Sequence, residues 1–287
     1  MINRLRRLIP SDAGKTRILL VVMCFNFLFI GVDVVMAHSQ SDFFRWALIP
    51  IGYSAMAVLA ILARITFHAS AVAKRFFQTS MWLGVFVGVT GTFFHVHGNA
   101  NSSPVSLHRL LIEGSPVAAP IAFAGIASYA LVSEHLRGKA RDSKLLALVG
   151  LGFVGAMMAA FLDHARLGFE PSYTLIPIAS GALAAISCLY VAYSRANGAE
   201  VRVLLYILAL NATIGLAGFV LHVLGDLAGT DTIVWARLLY RNPILGPMLF
   251  CNLALLAGLT LLPGPKVVPA ATMSPMDTIK DDIHQHA

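Results

Sequence analysis

Charged side chains are scarce in this sequence. Asp, Glu, Lys and Arg make up 12% of it, where a soluble globular domain carries about a quarter. That excludes a chain folded around its own core in water. Cysteine is scarce too: Cys24, Cys188 and Cys251 all fall inside apolar runs. Their spacing excludes a disulfide framework or a zinc knuckle and leaves them as small buried apolar residues. Segments of about 10 residues with alternating hydrophobicity, the mark of membrane-barrel strands, do not occur. Neither do the HxxxH and HxxHH boxes of membrane desaturases and alkane hydroxylases, the HxxxH of membrane ceramidases or the HExxH of membrane zinc proteases. GxSxG, the Walker loop and the dinucleotide fingerprint are absent as well. No connection between apolar runs is long enough to hold a soluble domain.

What is abundant is hydrophobicity, at 57% of residues with a mean hydropathy of +0.76. It is concentrated in eight runs: Ile18–Met36, Trp46–Ala63, Phe76–Phe94, Val117–Ser133, Leu145–Leu162, Tyr173–Tyr193, Val203–Leu224 and Ile244–Leu262. Each approaches the ~20 residues that a helix needs to cross the hydrocarbon core. Lipid requires every backbone polar group to bond internally, so such runs are helices. The expected fold is all-α: a polytopic integral membrane protein with eight transmembrane helices in four hairpins and both termini cytoplasmic. Residues 1–262 form one bundle. Residues 263–287, with Pro263, Pro265 and Pro269 and then mostly polar residues, read as a disordered cytoplasmic tail.

The net charge of +7 raises the question of a nucleic-acid partner, and the placement of the charge answers it. With the N-terminus inside, 16 Lys and Arg lie on the cytoplasmic side. Only Arg45, Arg109, Arg166, Arg237 and Arg241 lie on the other. That is the positive-inside bias. It implies membrane lipids as the partner, no nucleic acid, and a multi-pass place in a cell membrane of the bacterial inner-membrane kind. The start MINRLRR followed by an apolar run resembles a signal peptide, with Val35-Met36-Ala37 as an acceptable cleavage site. The run is long for a signal, and a retained first helix is the expectation.

Gly84 and Gly88, and Gly150, Gly152 and Gly155, are small residues suited to close helix approach. Pro50, Pro120, Pro177 and Pro247 lie near the outer ends of the even-numbered runs, where kinks would widen that half of the bundle. Val105–Ile112 has the makings of a short interfacial helix, and Trp235 and Tyr240 those of interface anchors. No repeat is strong in the sequence. The first helix of each hairpin does end in a His-bearing segment, which leaves a twofold or fourfold duplication open.

Those segments carry the candidate site. His38, His95 or His97, His164 and His222 sit at the outer ends of the four odd-numbered runs, with Asp33, Asp163 and Asp226 close by. Ionisable groups near the apolar membrane interior are expensive and mark sites. His222 and Asp226, four residues apart, share a helix face, so both can reach one ion or the carboxylate can orient the imidazole. The expectation is a metal site built from His38, His95, His97, His164, His222, Asp33, Asp163 and Asp226, with only one of His95 and His97 turned inward. The ligand set suits a transition metal, with iron, copper and zinc not distinguished. Two of the histidines could instead be axial ligands of a b-type haem. Arg109, Arg166, Arg237, Arg241 and Tyr240 form an outer rim suited to an anionic group of a substrate.

The functional expectation is a metal-dependent membrane enzyme, an oxidoreductase or hydrolase acting on a lipid-soluble or small apolar substrate. The alternatives are a b-type haem electron carrier, an ion- or proton-coupled transporter, and a non-catalytic subunit associated with other membrane subunits.

Overall fold

The computed structural model describes residues 12–39, 43–101, 106–229, 233–240 and 244–262. The expected tail lies outside them. Among the described residues the structure is all-helical. We label the principal helices α1 (Asp12–Ser39), α2 (Leu48–Thr66), α3 (Ala71–Ala100), α4 (Ile121–His135), α5 (Gly138–Ala165), α6 (Leu175–Tyr193), α7 (Gly198–Leu227) and α8 (Met248–Thr260). A 3₁₀ turn, Arg45–Ala47, leads into α2, and another, Ser172–Thr174, leads into α6. A π-helical turn, Arg109–Glu113, and a short helix, Trp235–Tyr240, precede α4 and α8. The short helix expected at Val105–Ile112 is present as a helical stretch over residues 107–113, and Val105 lies outside the described residues.

Six of these helices are long and apolar enough to cross a membrane: α1, α2, α3, α5, α6 and α7. At most 39% of the most apolar window of any of them is buried. Phe25, Phe29, Trp82, Phe86, Ile186 and Leu216 are among the large apolar side chains that point outward, the arrangement expected where lipid replaces water. The last two apolar runs of their halves hold shorter helices, α4 with 15 residues and α8 with 13. These are about 22 and 20 Å long at 1.5 Å per residue.

Consecutive helices pair as hairpins, α1 with α2, α3 with α4, α5 with α6 and α7 with α8. The hairpins then close into two rings. In the first, α2 packs on α3 and α4 on α1; in the second, α6 packs on α7 and α8 on α5. The halves meet through α4 against α5 and through α1 against α8. The joint is short. Leu136 and Arg137 separate α4 from α5, and Gly138 takes φ +57°, a conformation glycine adopts without a side-chain clash.

The rings are copies of each other. The helices α1 and α5 have 28 residues each, α2 and α6 have 19, and α3 and α7 have 30. Leu48-Ile49-Pro50-Ile51 opens α2, and Leu175-Ile176-Pro177-Ile178 opens α6. Ser70 and Asn197 occupy the same N-cap position, each accepting a hydrogen bond from the first turn of the helix it starts. The close approaches repeat as well. A Cβ on Gly88 would meet the Ala124 and Pro120 backbone, and one on Gly215 the Cys251 and Pro247 backbone. Gly91 and Gly218 face the rings of the same two prolines. The buried cores correspond: Leu19, Leu20 and Phe27 in α1 match Leu145, Leu146 and Phe153 in α5. The twofold duplication that the sequence leaves open is therefore present. Both copies run in the same direction, because Lys15 near the start of α1 contacts Asp142 near the start of α5.

The prolines do not kink the even helices. Pro50 and Pro177 are third residues of α2 and α6, and Pro120 and Pro247 are N-caps of α4 and α8. The first turn has no intrahelical acceptor for its N–H groups, so proline costs nothing there. Gly84, Gly88, Gly150 and Gly152 are close-contact positions as expected, whereas Gly155 has open space where a Cβ would lie. Of the cysteines, Cys24 and Cys188 are buried and Cys251 is partly so, and all three are free thiols.

Candidate functional site

The odd-numbered helices all end at one end of the molecule, opposite the basic end where Lys15, Arg64 and Arg141 lie. Each carries a histidine in its last turns. His38 is the penultimate residue of α1 and His164 that of α5; His95 and His222 are each sixth from the end of α3 and α7. The four are thus two pairs of equivalents under the duplication. Within each ring the two histidine-bearing helices stand diagonally, separated by the even helices. His38 and His95 therefore stand on diagonal helices of the first ring, and His164 and His222 on diagonal helices of the second.

In the second ring the imidazoles of His164 and His222 are perpendicular, at 88°, with centroids 6.5 Å apart. Both are half-buried. Asp163 lies near enough to both rings, and to Arg166, for their charges to interact. In the first ring His38 and His95 are likewise within range of each other's charge. His38 Nδ1 is 3.0 Å from the carbonyl oxygen of Val34, and His95 Nδ1 is 3.0 Å from that of Pro116. A carbonyl only accepts, so Nδ1 carries the proton in both and the lone pair of the neutral ring is on Nε2. Metal-ligating histidines are commonly oriented by such a bond from the non-ligating nitrogen. Phe44 lies against the His38 ring, 6.0 Å between centroids.

Only one histidine of the HVH segment turns inward, and it is His95. His97 is exposed, stacks on Phe93 with centroids 5.8 Å apart, and accepts a hydrogen bond from the Asn101 amide at 2.9 Å. Asp33 is exposed on the side of α1. Asp226 is buried, at 1% exposure, one turn past His222. Its equivalent, Asn99, is also buried and shows what this position does in the first ring. Its amide nitrogen donates to the carbonyls of Leu110 and Ser115 at 3.0 and 2.9 Å, and its oxygen accepts from Ser115 N–H at 2.9 Å. It fastens the returning loop to the end of α3.

The rim arginines are engaged with backbone. Arg166 donates to the carbonyls of Ile112 and Gly114, the latter at 3.1 Å, so a second-ring side chain holds the first-ring loop. Arg237 donates to the Ala228 carbonyl at 3.1 Å. The side chains of Arg109 and Tyr240, and all of Arg241, lie outside the described residues.

Among the described residues no three His, Cys, Asp or Glu side chains stand close enough to hold one ion between them. The structure therefore brings the rings of His164 and His222 together, and the described candidates do not gather into the single cluster expected from sequence. The pairing depends on ring order, which hydrophobic periodicity does not report. A signal for it was nonetheless in the chain: His95 and His222 share the motif HVxG, followed by Asn99 in one copy and Asp226 in the other. No family model, curated protein or solved structure matches this chain.

Proposed function

We propose that this protein is a multi-pass membrane metalloprotein whose metal site is at the extracytoplasmic end of the bundle. All eight principal helices cross. After α3 the chain must return from the histidine end to the start of α5 at the basic end, and only the segment containing α4 makes that journey; α8 repeats it. The positive-inside bias puts the basic end, and both termini, in the cytoplasm. The observation that carries the metal reading is the His164–His222 pair. Metal–nitrogen bonds near 2 Å place the centroids of two imidazoles on one ion roughly 5–6.5 Å apart, and theirs are 6.5 Å apart. Asp163 lies within charge range of both rings, and Asp226 follows His222 by one turn of α7.

A bound metal there supplies Lewis acidity or redox capacity at the membrane surface, which suits a metal-dependent enzyme working on a lipid-soluble or small apolar substrate. The test is metal analysis of protein purified from its own membranes. A transition metal that copurifies and falls sharply in His164→Ala with His222→Ala supports the proposal. Metal-free protein overturns it.

A b-type haem is the second reading. Two diagonal histidines per four-helix ring match the two axial ligands a haem requires, and the 6.5 Å spacing is at the trans end of the range. A Soret band in the same preparation selects haem; its absence with metal present selects a bare ion.

A further inference from the structure

Asp33 is a carboxylate on the lipid side of α1. Arg17, exposed near the start of the same helix, is the cation that fixes the inner boundary of the span. Asp33 stands about 24 Å above it at 1.5 Å per residue, within the outer part of a hydrocarbon core ~30 Å thick. Ionisable side chains at such a depth ordinarily face a bundle interior and pair there. Asp33 instead is exposed. Among the described residues it makes no hydrogen bond or ion pair, and no neighbouring charge acts on it. The fold does not require it, because Ala159 holds the equivalent position of α5. Asp33 lies two turns beyond Asn26 on one face of α1, the face that meets α8 through Asn252. Helix α8 begins only one turn beyond Asn252, so it leaves Asp33 uncovered. The far side of α8 is open as well. A groove of about 480 Å³ runs between α7 and α8, with Ala209, Ala212, Ala254 and Gly258 in its lining. The first ring carries the bulkier Trp82, Val85 and Leu131 at the positions of Ala209, Ala212 and Gly258. Between Asp33 and the groove, Leu255 of α8 points outward.

We infer that the face formed by α7, α8 and α1 docks one transmembrane helix of another subunit, which brings a lysine or arginine to Asp33. The occupant is cationic because the exposed charge in the apolar span is a carboxylate. It is a helix because a single segment crossing lipid must bond its own backbone. A phospholipid tail would fill the groove but leave Asp33 without a partner. Transmembrane helices tilt by ~20° on average, so one helix can lie in the α7–α8 groove toward the basic end and reach α1 toward the other end. The small side chains of the groove let its backbone approach closely. Phe29, one turn below Asp33 and 60% exposed, offers its ring to the arriving cation. The surface is particular to one side of the molecule, since the duplication repeats neither Asp33 nor the small groove residues. The inference is independent of the metal reading.

The experiment uses two leucine-rich transmembrane peptides of about 20 residues, one with a single arginine at the depth of Asp33 and one with leucine there. Each carries a fluorophore, and energy transfer to the labelled full-length protein in phosphatidylcholine vesicles reads association. The inference expects the arginine peptide to bind wild-type protein about tenfold more tightly than the leucine peptide. Asp33→Asn should abolish that advantage. Ala209→Trp, which puts the first ring's residue into the groove, should weaken both peptides. Asp33→Asn combined with Ala159→Asp moves the carboxylate to the equivalent place on the other half and should not restore binding. Equal binding of the two peptides to wild type overturns the inference, and so does an arginine preference that survives Asp33→Asn. Full restoration by Ala159→Asp, or binding untouched by Ala209→Trp, shows that charge alone attracts the peptide, and the docking face is then refuted. An Asp33-dependent dimer of the protein without peptide, counted by single-molecule photobleaching, makes a second copy the occupant and also refutes it. Where Ala209→Trp is not monodisperse, Gly258→Leu replaces it, since a Cβ there meets nothing within 4 Å.

Discussion

Lys15, in the first turn of α1, donates to Asp142, in the first turns of α5, at 2.9 Å. Arg141 beside Asp142 reaches back to Asp12 of α1 at 2.8 Å. The two halves are thus cross-tied at the basic end by a reciprocal pair of ion pairs. Lys15 and Arg141 are almost completely buried. Lys15 also donates to the carbonyls of Thr260 and Leu262, which satisfies the C-terminal end of α8, where those carbonyls have no helical partner.

This arrangement sets the order of two substitutions. Asp142→Asn leaves a buried ammonium without its carboxylate. Lys15→Met removes the charge itself and keeps an apolar stem of similar length. Stranding a buried charge costs more than replacing it with an apolar side chain. Asp142 is about one-third exposed, so water moderates the loss. We expect Asp142→Asn to destabilise by roughly 2 kcal/mol and Lys15→Met by less, read as the melting temperature in detergent. The reverse order would show that the ion pair does not hold the halves together.

The duplication predicts matching responses at matched glycines. A Cβ at Gly88 would lie 2.6 Å from the Ala124 nitrogen, and one at Gly215 2.7 Å from the Pro247 oxygen. Backbone atoms cannot step aside as a side-chain tip can, so Gly88→Ala and Gly215→Ala should each destabilise by about 1–3 kcal/mol. Gly155→Ala meets nothing within 4 Å and should be neutral, or stabilising by up to about 1 kcal/mol from helix propensity. Thermal unfolding of the three variants side by side checks this, and a damaging Gly155→Ala would contradict the packing described.

Much of this fold was legible in the sequence. A long apolar run in lipid has one solution, so hydropathy alone located every principal helix. The halves were not legible. Their identities are scattered, with Leu-Ile-Pro-Ile as the longest run, because lipid-facing positions accept any apolar residue. The prolines were misread for a related reason: a proline within an apolar run kinks the helix only if the helix has already begun, and in α2, α4, α6 and α8 it has not. At the site, the shared end of the four histidines followed from topology. Their division into His38 with His95 and His164 with His222 depends on which helices face each other across a ring. The inward turn of His95 depends on where the Pro116 carbonyl lies, a neighbour 21 residues away.

Asn99 gives a local test of the histidine end. Asn99→Ala removes the partner of three backbone groups, the Leu110 and Ser115 carbonyls and the Ser115 N–H. Unmade bonds to such groups cost about 1–3 kcal/mol, concentrated in the loop. Hydrogen exchange over residues 110–115 should accelerate about tenfold or more, with exchange in α1 and α2 unchanged. Asn99→Asp should do at least as much harm, since it turns a carboxylate oxygen toward two carbonyl oxygens. Unchanged exchange in both would show that the loop is held by other contacts.

Within the membrane, Asn26 of α1 and Asn252 of α8 exchange hydrogen bonds at 3.1 and 2.6 Å. The equivalent positions at the other junction between halves, Gly125 and Gly152, hold no polar side chain, so the two junctions differ. Asn26 keeps a second partner, the Val22 carbonyl, whereas the Asn252 amide depends on Asn26. Asn26→Leu should therefore cost more than Asn252→Leu, because it strands the Asn252 amide in an apolar setting. The double variant should cost less than the sum of the two. Measured couplings between polar side chains of membrane helices average about 0.6 kcal/mol and reach about 1.7. A double-mutant cycle on thermal stability in bicelles gives the value directly. Strict additivity would mean that the two asparagines do not bond each other in lipid and that α1 and α8 are joined only through the charges at the basic end.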